Sequence, residues 1–497
     1  MQAATPRRAA ALLLRDPDGR ILLSKRNREA RFLGGFVAFV GGGVDEGDAA
    51  LAVELFGPSA SAEMATVVRE LHEETALLLT DKGAVEDSSS SGNLLESYAE
   101  TGHRPPPASA LAEAGRWITP DYLPIRFDTR FYLVDVETAD APRPDPRELE
   151  AAWFELPGDL LRRHRGLEVM LSRPTLDQLE GLASGRNSAA ALAALPGAVQ
   201  YEGDPSEARP FEPVRGIWVL PLRTPTLPPA THTNCYVVGH EQAIIVDPAT
   251  YDDGERARLG ELLDERSAQG MAFAAVVLTH HHRDHIGSAQ WVAHRLSIPI
   301  WGHPTTRDLL AGEVHFDGLL EDGDTIDLGR DPSGHPFVLR CLHTPGHAAG
   351  HLVLVDEREG SPELGGRMIV GDMVAAVGTI IVDPDEGHMT TYLEQLRRLA
   401  AHPDGVLFPA HGPPIAAGRA KLEHYIAHRL AREAKVRAAL EAHTGPATPQ
   451  DLLPAAYADT PPAVWPLAER ACLAHLDKLV EDGVAGRSGG RFVALPS

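Results

Sequence analysis

Residues 8–27, RAAALLLRDPDGRILLSKRN, hold two apolar runs on either side of Asp16-Pro17-Asp18-Gly19, a pattern that predicts strand, turn and strand. A glycine-rich corner follows, FLGGFVAFVGGGVDEGD. Apolar residues then recur at helical spacing over 62–79, AEMATVVRELHEETALLL. From 84 to 110 Ser, Gly and Pro dominate, which reads as a surface excursion, before RFDTRFYLVDV (126–136) resumes as a strand. LPGAVQYEGDPSEARPFEPVRG (195–216) has little periodicity and reads as a linker. Beyond it, to about residue 415, AIIVD, AAVVL and GRMIVGD alternate with helical segments in an α/β pattern. The last region opens with a long helix, AKLEHYIAHRLAREAKVRAALEAH. It closes with ERACLAHLDKLVEDGVAGRSGGRFVAL, read as helix, turn and hairpin, and no internal repeat is visible.

A chain of 497 residues exceeds what one hydrophobic core organises. The expected domains are 1–200, 208–415 and 416–497. With 43% apolar and 23% charged residues the composition is globular, and no stretch approaches the roughly 20 apolar residues of a membrane span. Arg15 and Asp16 end the first apolar run too early for a signal peptide. Cys235, Cys341 and Cys472 are too few and too scattered for a disulfide framework and suit a reducing, cytoplasmic setting. Lysine is scarce beside arginine, as in a GC-rich bacterial genome. The net charge of -24 argues against a large nucleic-acid footprint. Residues 413–497 carry ten Lys and Arg against nine Asp and Glu, which leaves room for a small basic face at the tail, with Lys421, Arg432 and Lys435 near one side of the long helix.

The densest chemistry is LTHHHRDHIGS at 278–288, directly after the apolar MAFAAVVL. Zinc takes neutral imidazole and carboxylate ligands, and a catalytic site must gather them while leaving a position for water. In an extended segment His280 and His282 can point the same way, while Asp284 and His285 turn toward a neighbouring point, so two metals would use all four. His281 is left facing solvent or supporting a neighbour.

These residues resemble the signature HxHxDH of the metallo-β-lactamase superfamily, and the likeness continues in order through Asp247 after AIIVD, His347 in HTPGHAAGH, Asp372 in MIVGD and His411 in FPAHGP. The resemblance implies an αββα sandwich with two zinc ions. His280, His282 and His347 would hold one, Asp284, His285 and His411 the other, with Asp372 bridging and Asp247 fixing ligand geometry. A zinc-activated water would be the nucleophile, with Asp284 among the catalytic groups. His351, four residues after His347, is either a supporting or proton-donating group or a packing histidine. His285 and Asp372 occur together, which lactam-cleaving relatives typically lack, so antibiotic hydrolysis is not expected. No room exists between Asp372 and His411 for the inserted domain of the RNA-processing nucleases. The tail resembles the lactamase-beta-two-like group, whose human member is a zinc-dependent endoribonuclease acting on single-stranded RNA. It implies a small winged-helix-like domain and single-stranded RNA as a partner.

A second motif lies upstream. In Arg69-Glu70-Leu71-His72-Glu73-Glu74-Thr75-Ala76-Leu77, Glu70, Glu73 and Glu74 share a helical face, where their repulsion is relieved by a hard cation such as Mg²⁺ or Mn²⁺ unless the face is simply solvated. With the glycine-rich loop before it, the helix resembles the Nudix box, and the region to about 185 resembles the coenzyme A diphosphatase subgroup. The resemblance implies an α/β/α sandwich cleaving a small diphosphate or CoA-like compound, with Arg69, Glu73 and Glu74 in the catalytic set. Two departures stand out: Ala76 replaces the usual Gly, and the loop between Gly43 and Arg69 is longer than usual, which leaves the upstream Glu of the motif ambiguous between Glu54 and Glu63. The expected whole is a multidomain α/β and α+β fusion of two metal-dependent hydrolases. The zinc site would take a phosphodiester or, as in the glyoxalase II branch, a thioester, in which case the N-terminal domain could serve as a ligand sensor.

Overall fold

The computed structural model describes residues 4–195, 209–362 and 364–496. Two compact units emerge, Met1–Leu220 and Pro221–Ser497. In the first, strand Arg7–Arg15 pairs in parallel with Phe127–Asp135 and antiparallel with Val40–Gly43 and Ile21–Arg26. Its apolar run alternates between two cores, as a strand buried on both faces must. Ala11 and Leu13 pack with Leu160 and Leu179 of helices Pro157–Arg165 and Arg173–Ala183, while Leu12 and Leu14 pack with Val67, Val68 and Leu71 of helix Ala62–Thr75. Helices therefore flank both faces of the sheet.

Three sequence expectations change here. The helix expected over 62–79 stops at Thr75, because Ala76 takes a left-handed conformation (φ 54°, ψ 29°) and Leu77–Leu79 leaves as a strand paired with Gly83–Glu86. The excursion at 84–110 is not merely surface: helix Leu94–Thr101 buries Leu94 and Tyr98 against that strand, and the Tyr98 hydroxyl donates to Leu79 O at 2.5 Å. Of the expected linker, 196–208 lies outside the described residues, and Phe211–Val214 is a strand.

The second unit contains two sheets. One includes His232–Gly239, Gln242–Val246, Ala272–Leu278 and Ile300–Gly302; the other runs through Thr325–Arg330, Pro336–His343, Leu352–Asp356, Met368–Gly371 and Leu407–Pro409. They meet where Tyr236 packs edge-on against Phe408 and donates to Pro409 O at 2.6 Å, and where the Leu352 N–H donates to Thr279 O at 2.8 Å. Helix Gly418–Ala442 gives Leu422 and Tyr425 to the core around Tyr392, Leu393 and Leu396 of helix Met389–Ala400. Its far end packs with helices Pro449–Ala456 and Trp465–Glu481 and the hairpin Ala485–Ser488/Arg491–Ala494, a winged-helix arrangement. Among the described residues, no helix is long and apolar enough to cross a membrane.

Candidate functional site

Apart from His351, which immediately precedes strand Leu352–Asp356, the histidines and aspartates singled out in the second unit follow strands. Asp247 follows Gln242–Val246, His280 to His285 follow Ala272–Leu278, and His347 follows Pro336–His343. Asp372 follows Met368–Gly371, and His411 follows Leu407–Pro409. The strand ends converge. His280 Nε2 and His347 Nε2 lie 2.9 and 3.0 Å from His282 Nδ1, and Asp372 Oδ2 is 3.5 Å from His347 Nε2. Beside this group, His411 Nε2 is 3.6 Å from Asp284 Oδ2 and 3.3 Å from Asp372 Oδ1, which is itself 3.7 Å from His285 Nε2. Asp372 thus borders both groups, and within each the donor atoms are close enough for one metal ion.

The outward nitrogens are held as a metal site requires, because a neutral imidazole that donates from one nitrogen leaves the other bare. His285 Nδ1 donates to Asp247 Oδ2 at 2.8 Å, His347 Nδ1 to Ile381 O at 2.8 Å, and His411 Nδ1 to His232 O at 3.0 Å. Asp247 also accepts from the Thr279 N–H at 2.8 Å and hydroxyl at 2.6 Å, and that hydroxyl oxygen lies 3.0 Å from His280 Nδ1. His282 donates from Nε2 to Glu386 at 2.8 Å. His351 is fully buried behind the site. Its Nε2 accepts the Asp372 N–H at 3.1 Å and its Nδ1 donates to the Thr344 hydroxyl at 2.8 Å. Both nitrogens are engaged, so the ring orients Asp372 and has no proton free to donate to a substrate.

Charge balance tests whether cations fit. Burial pushes His280 and His351 well below the usual imidazole range and His347 down to about 4, so these rings are neutral. Burial also disfavours a charged His285, yet Asp247, Asp284 and Asp372 outweigh it and raise this ring above the usual imidazole range; Asp372 likewise raises His411. Against burial, His411 and His285 keep Asp372 ionised. The carboxylates thus make this corner of the site attract positive charge, which dications would supply. His285 Nε2 and Asp372 Oδ1 are buried without a hydrogen-bond partner, as ligand atoms aimed at an ion would be. The residues present fit a pair of metal ions.

Sequence reasoning did not find Glu386, which lies 104 positions from His282 in an acidic loop, nor Thr279, an unremarkable residue until its hydroxyl is seen between Asp247 and His280. His281 is half-buried and groups with His282 and Glu386. The basic residues expected near one side of the tail's long helix have partners. Lys421 Nζ donates to Ala376 O at 3.0 Å, while Arg432 and Lys435 both pair with Asp459, at 2.9 and 2.8 Å.

In the first unit, Glu70 and Glu74 are buried and Glu73 is exposed. Arg69 Nη1 donates to Glu70 at 3.0 Å and Glu73 at 2.8 Å, so the guanidinium balances part of the acidic face. Its other nitrogens grip Asp48 at 2.8 and 3.0 Å. Asp48, rather than Glu54 or Glu63, is therefore the upstream partner of Arg69, and Glu63 pairs with Arg8 instead at 2.8 Å. At the glycine corner Gly41 must be glycine, since a Cβ there would sit 2.2 Å from Ala10 O, while Gly42 lies close against Glu70 Oε1. The Gly41 N–H donates to Glu74 at 3.2 Å. Burial, reinforced by Glu73, raises Glu70 to about 7; burial, reinforced by Glu70, raises Glu74 to about 8. Two buried carboxylates that ionise only reluctantly fit a hard divalent cation.

Family sequence models match three segments: the metallo-beta-lactamase superfamily at 228–411, the beta-lactamase associated winged helix domain at 448–491, and the NUDIX domain at 5–165. The chain joins a NUDIX domain to a metallo-beta-lactamase domain with its winged helix. The Beta-lactamase-like protein 2 homolog of Caenorhabditis elegans is 27% identical over 257 residues, 51% of this chain and 80% of that protein. Its namesake in Drosophila melanogaster is 25% identical over 263 residues, 50% of this chain and 83% of that protein. The Atrochrysone carboxyl ACP thioesterase of Emericella nidulans is 30% identical over 210 residues, 42% of this chain and 61% of that protein. The chain thus joins domains of two hydrolase families whose members generally bind divalent metals.

Proposed function

We propose that the metallo-beta-lactamase domain is a binuclear zinc hydrolase of a small acyl thioester, and that the NUDIX domain is a Mg²⁺- or Mn²⁺-dependent hydrolase of a CoA-like or nucleoside-diphosphate-linked compound. His280, His282 and His347 would hold one zinc ion, Asp284, His285 and His411 the other, with Asp372 between them. Zinc bound there would supply Lewis acidity and bring the pKa of a water to about 7. The chain's own part is to present bare nitrogens. Asp247, Ile381 O and His232 O each take the outward N–H of a ligand, and His351 fixes the backbone of Asp372. The Asp284 and Asp372 carboxylates flank His411 Nε2 and are the groups placed to accept a proton from the attacking water.

The observation that carries the choice of substrate is that Lys421, Arg432 and the exposed Lys435 each already meet an oxygen of the chain itself. A phosphodiester strand such as single-stranded RNA needs cations free to meet its phosphates, and the overall charge of -24 is unfavourable to it. Similarity to a protein named a thioesterase supports the acyl reading. A CoA-directed NUDIX partner fits the same chemistry. In the NUDIX domain, Arg69 steadies Glu70 and Glu73, while Glu70 and Glu74 face the glycine corner where a diphosphate would approach.

Assaying the full chain against acyl-CoA thioesters, single-stranded RNA and nucleoside diphosphate derivatives tests this. Thioester turnover is expected to vanish in His411→Ala and diphosphate turnover in Glu74→Gln, each leaving the other intact. RNA cleavage without thioester turnover would reverse the first assignment. Tight binding of a diphosphate without turnover would make the NUDIX domain a sensor.

A further inference from the structure

The loop 383–388 lies over His282 just before helix Met389–Ala400. It is a tight turn: the Glu386 and Gly387 N–H groups both donate to Asp383 O, at 3.1 and 2.6 Å, and the Asp385 N–H donates to Asp383 Oδ1 at 3.0 Å. The His388 N–H donates to Gly346 O at 2.7 Å. A Cβ on Gly387 would lie 2.4 Å from Gly346 O and 2.8 Å from His347 O, so this loop rests directly on the backbone that carries His347. From it, Glu386 reaches His282.

The far side of the loop is gripped by the winged helix. Arg470, in helix Trp465–Glu481, donates from Nε to Asp383 at 2.9 Å and from Nη2 to both Asp383 and Asp385. About three turns along the same helix, Glu481 accepts from His388 Nε2 and from the Thr390 hydroxyl, each at 2.6 Å. One helix of the tail therefore holds both ends of the segment that presents Glu386.

We infer that the winged-helix domain is a working part of the metal site: through Arg470 it positions Glu386, whose carboxylate takes the Nε2 proton of His282 and leaves Nδ1 bare toward His280 and His347. The inference rests on the two-metal reading. A carboxylate hydrogen-bonded to a ligating imidazole sets its tautomer and basicity, and losing such a partner weakens metal binding by about 10–100-fold. Glu386 is 51% exposed, so its effect belongs near the lower end. Arg470 acts one step further out and is a positioning residue.

The test is zinc affinity of the full chain, measured by competition with a chelator, for Glu386→Ala, Glu386→Gln, Arg470→Gln and the Glu386→Ala/Arg470→Gln pair. All are partly exposed side chains, and thermal melting of each variant checks folding. Glu386→Ala is expected to weaken one of the two zinc sites about tenfold. Glu386→Gln should restore most of this, since an amide oxygen still accepts the N–H. Arg470→Gln should weaken the same site several-fold and add nothing in the Glu386→Ala background, because both act through one contact. Unchanged affinity in Arg470→Gln, or an effect that multiplies with Glu386→Ala, would overturn the inference. Wild-type protein that binds fewer than two zinc ions would overturn the metal reading beneath it.

Discussion

Asp247→Asn is the most informative single change, because one carboxylate sets the tautomers of two ligands. Oδ1 accepts the Thr279 N–H, while Oδ2 accepts both His285 Nδ1–H and the Thr279 hydroxyl. With its proton committed to Asp247, the Thr279 oxygen is free to accept from His280 Nδ1, 3.0 Å away. Both rings then present a bare Nε2 to the site. Asparagine has one oxygen, and the buried Thr279 N–H claims it. Its NH₂ then faces Thr279 Oγ and His285 Nδ1, which must now accept. His285 is driven to the Nε2–H tautomer, and the Thr279 hydroxyl turns its proton toward His280 and does the same. The backbone is a minor concern, since Asp247 already has φ 47° and asparagine tolerates that region at least as well. Losing such support costs about 10–100-fold in metal affinity, or about 1.4–2.7 kcal/mol. Chelator competition on the full chain should show both zinc sites weakened in Asp247→Asn. Thr279→Val, which cuts only the branch to His280, should weaken one. Wild-type affinity at both sites in Asp247→Asn would refute the relay.

In the NUDIX domain, Asp48→Ala should cost about 1–2 kcal/mol by removing two of the charged hydrogen bonds of Arg69, which keeps Glu70 and Glu73, read as faster hydrogen exchange in helix Ala62–Thr75, whereas Glu54→Gln should change nothing. Ala76→Gly relieves the left-handed helix end and should slow exchange there by up to about 1 kcal/mol after the entropy lost to glycine; faster exchange would contradict it. Glu70 and Glu74 are raised in the fold, so without divalent metal the folded form binds the extra protons, and the stability these two groups contribute is fully present below about pH 4.5. It should fall as pH rises from about 4.5 through 8, and Mg²⁺ should raise the melting temperature more at pH 8 than at pH 6. A metal-free melting temperature that is flat over this range would argue against two buried protonated carboxylates.

The residues that face the metals were legible because they lie just beyond apolar strands and are rare types in a fixed order. The residues that hold them were not. Ile381 and His232 act through backbone carbonyls, which carry no sequence signal, and Glu386 sits in an acidic loop like any solvated one. Asp48 escaped notice because helix Asp48–Phe56, inserted between the glycine corner and Arg69, carries the carboxylate to its partner from 21 positions away. Helical spacing continued through Leu77–Leu79 in the sequence, while the chain itself turned at Ala76, a residue whose left-handed backbone nothing in its chemistry advertises. The basic residues of the long helix were visible, but not their partner Asp459, which arrives from beyond the next helix.

The account stands most directly on the metal content of the second unit's site. Full-length protein loaded with zinc, desalted and analysed by mass spectrometry alongside His411→Ala should show the wild type holding two zinc ions more tightly than any others, and the variant one. A wild type with a single tightly held ion, or a variant that keeps both, would contradict it.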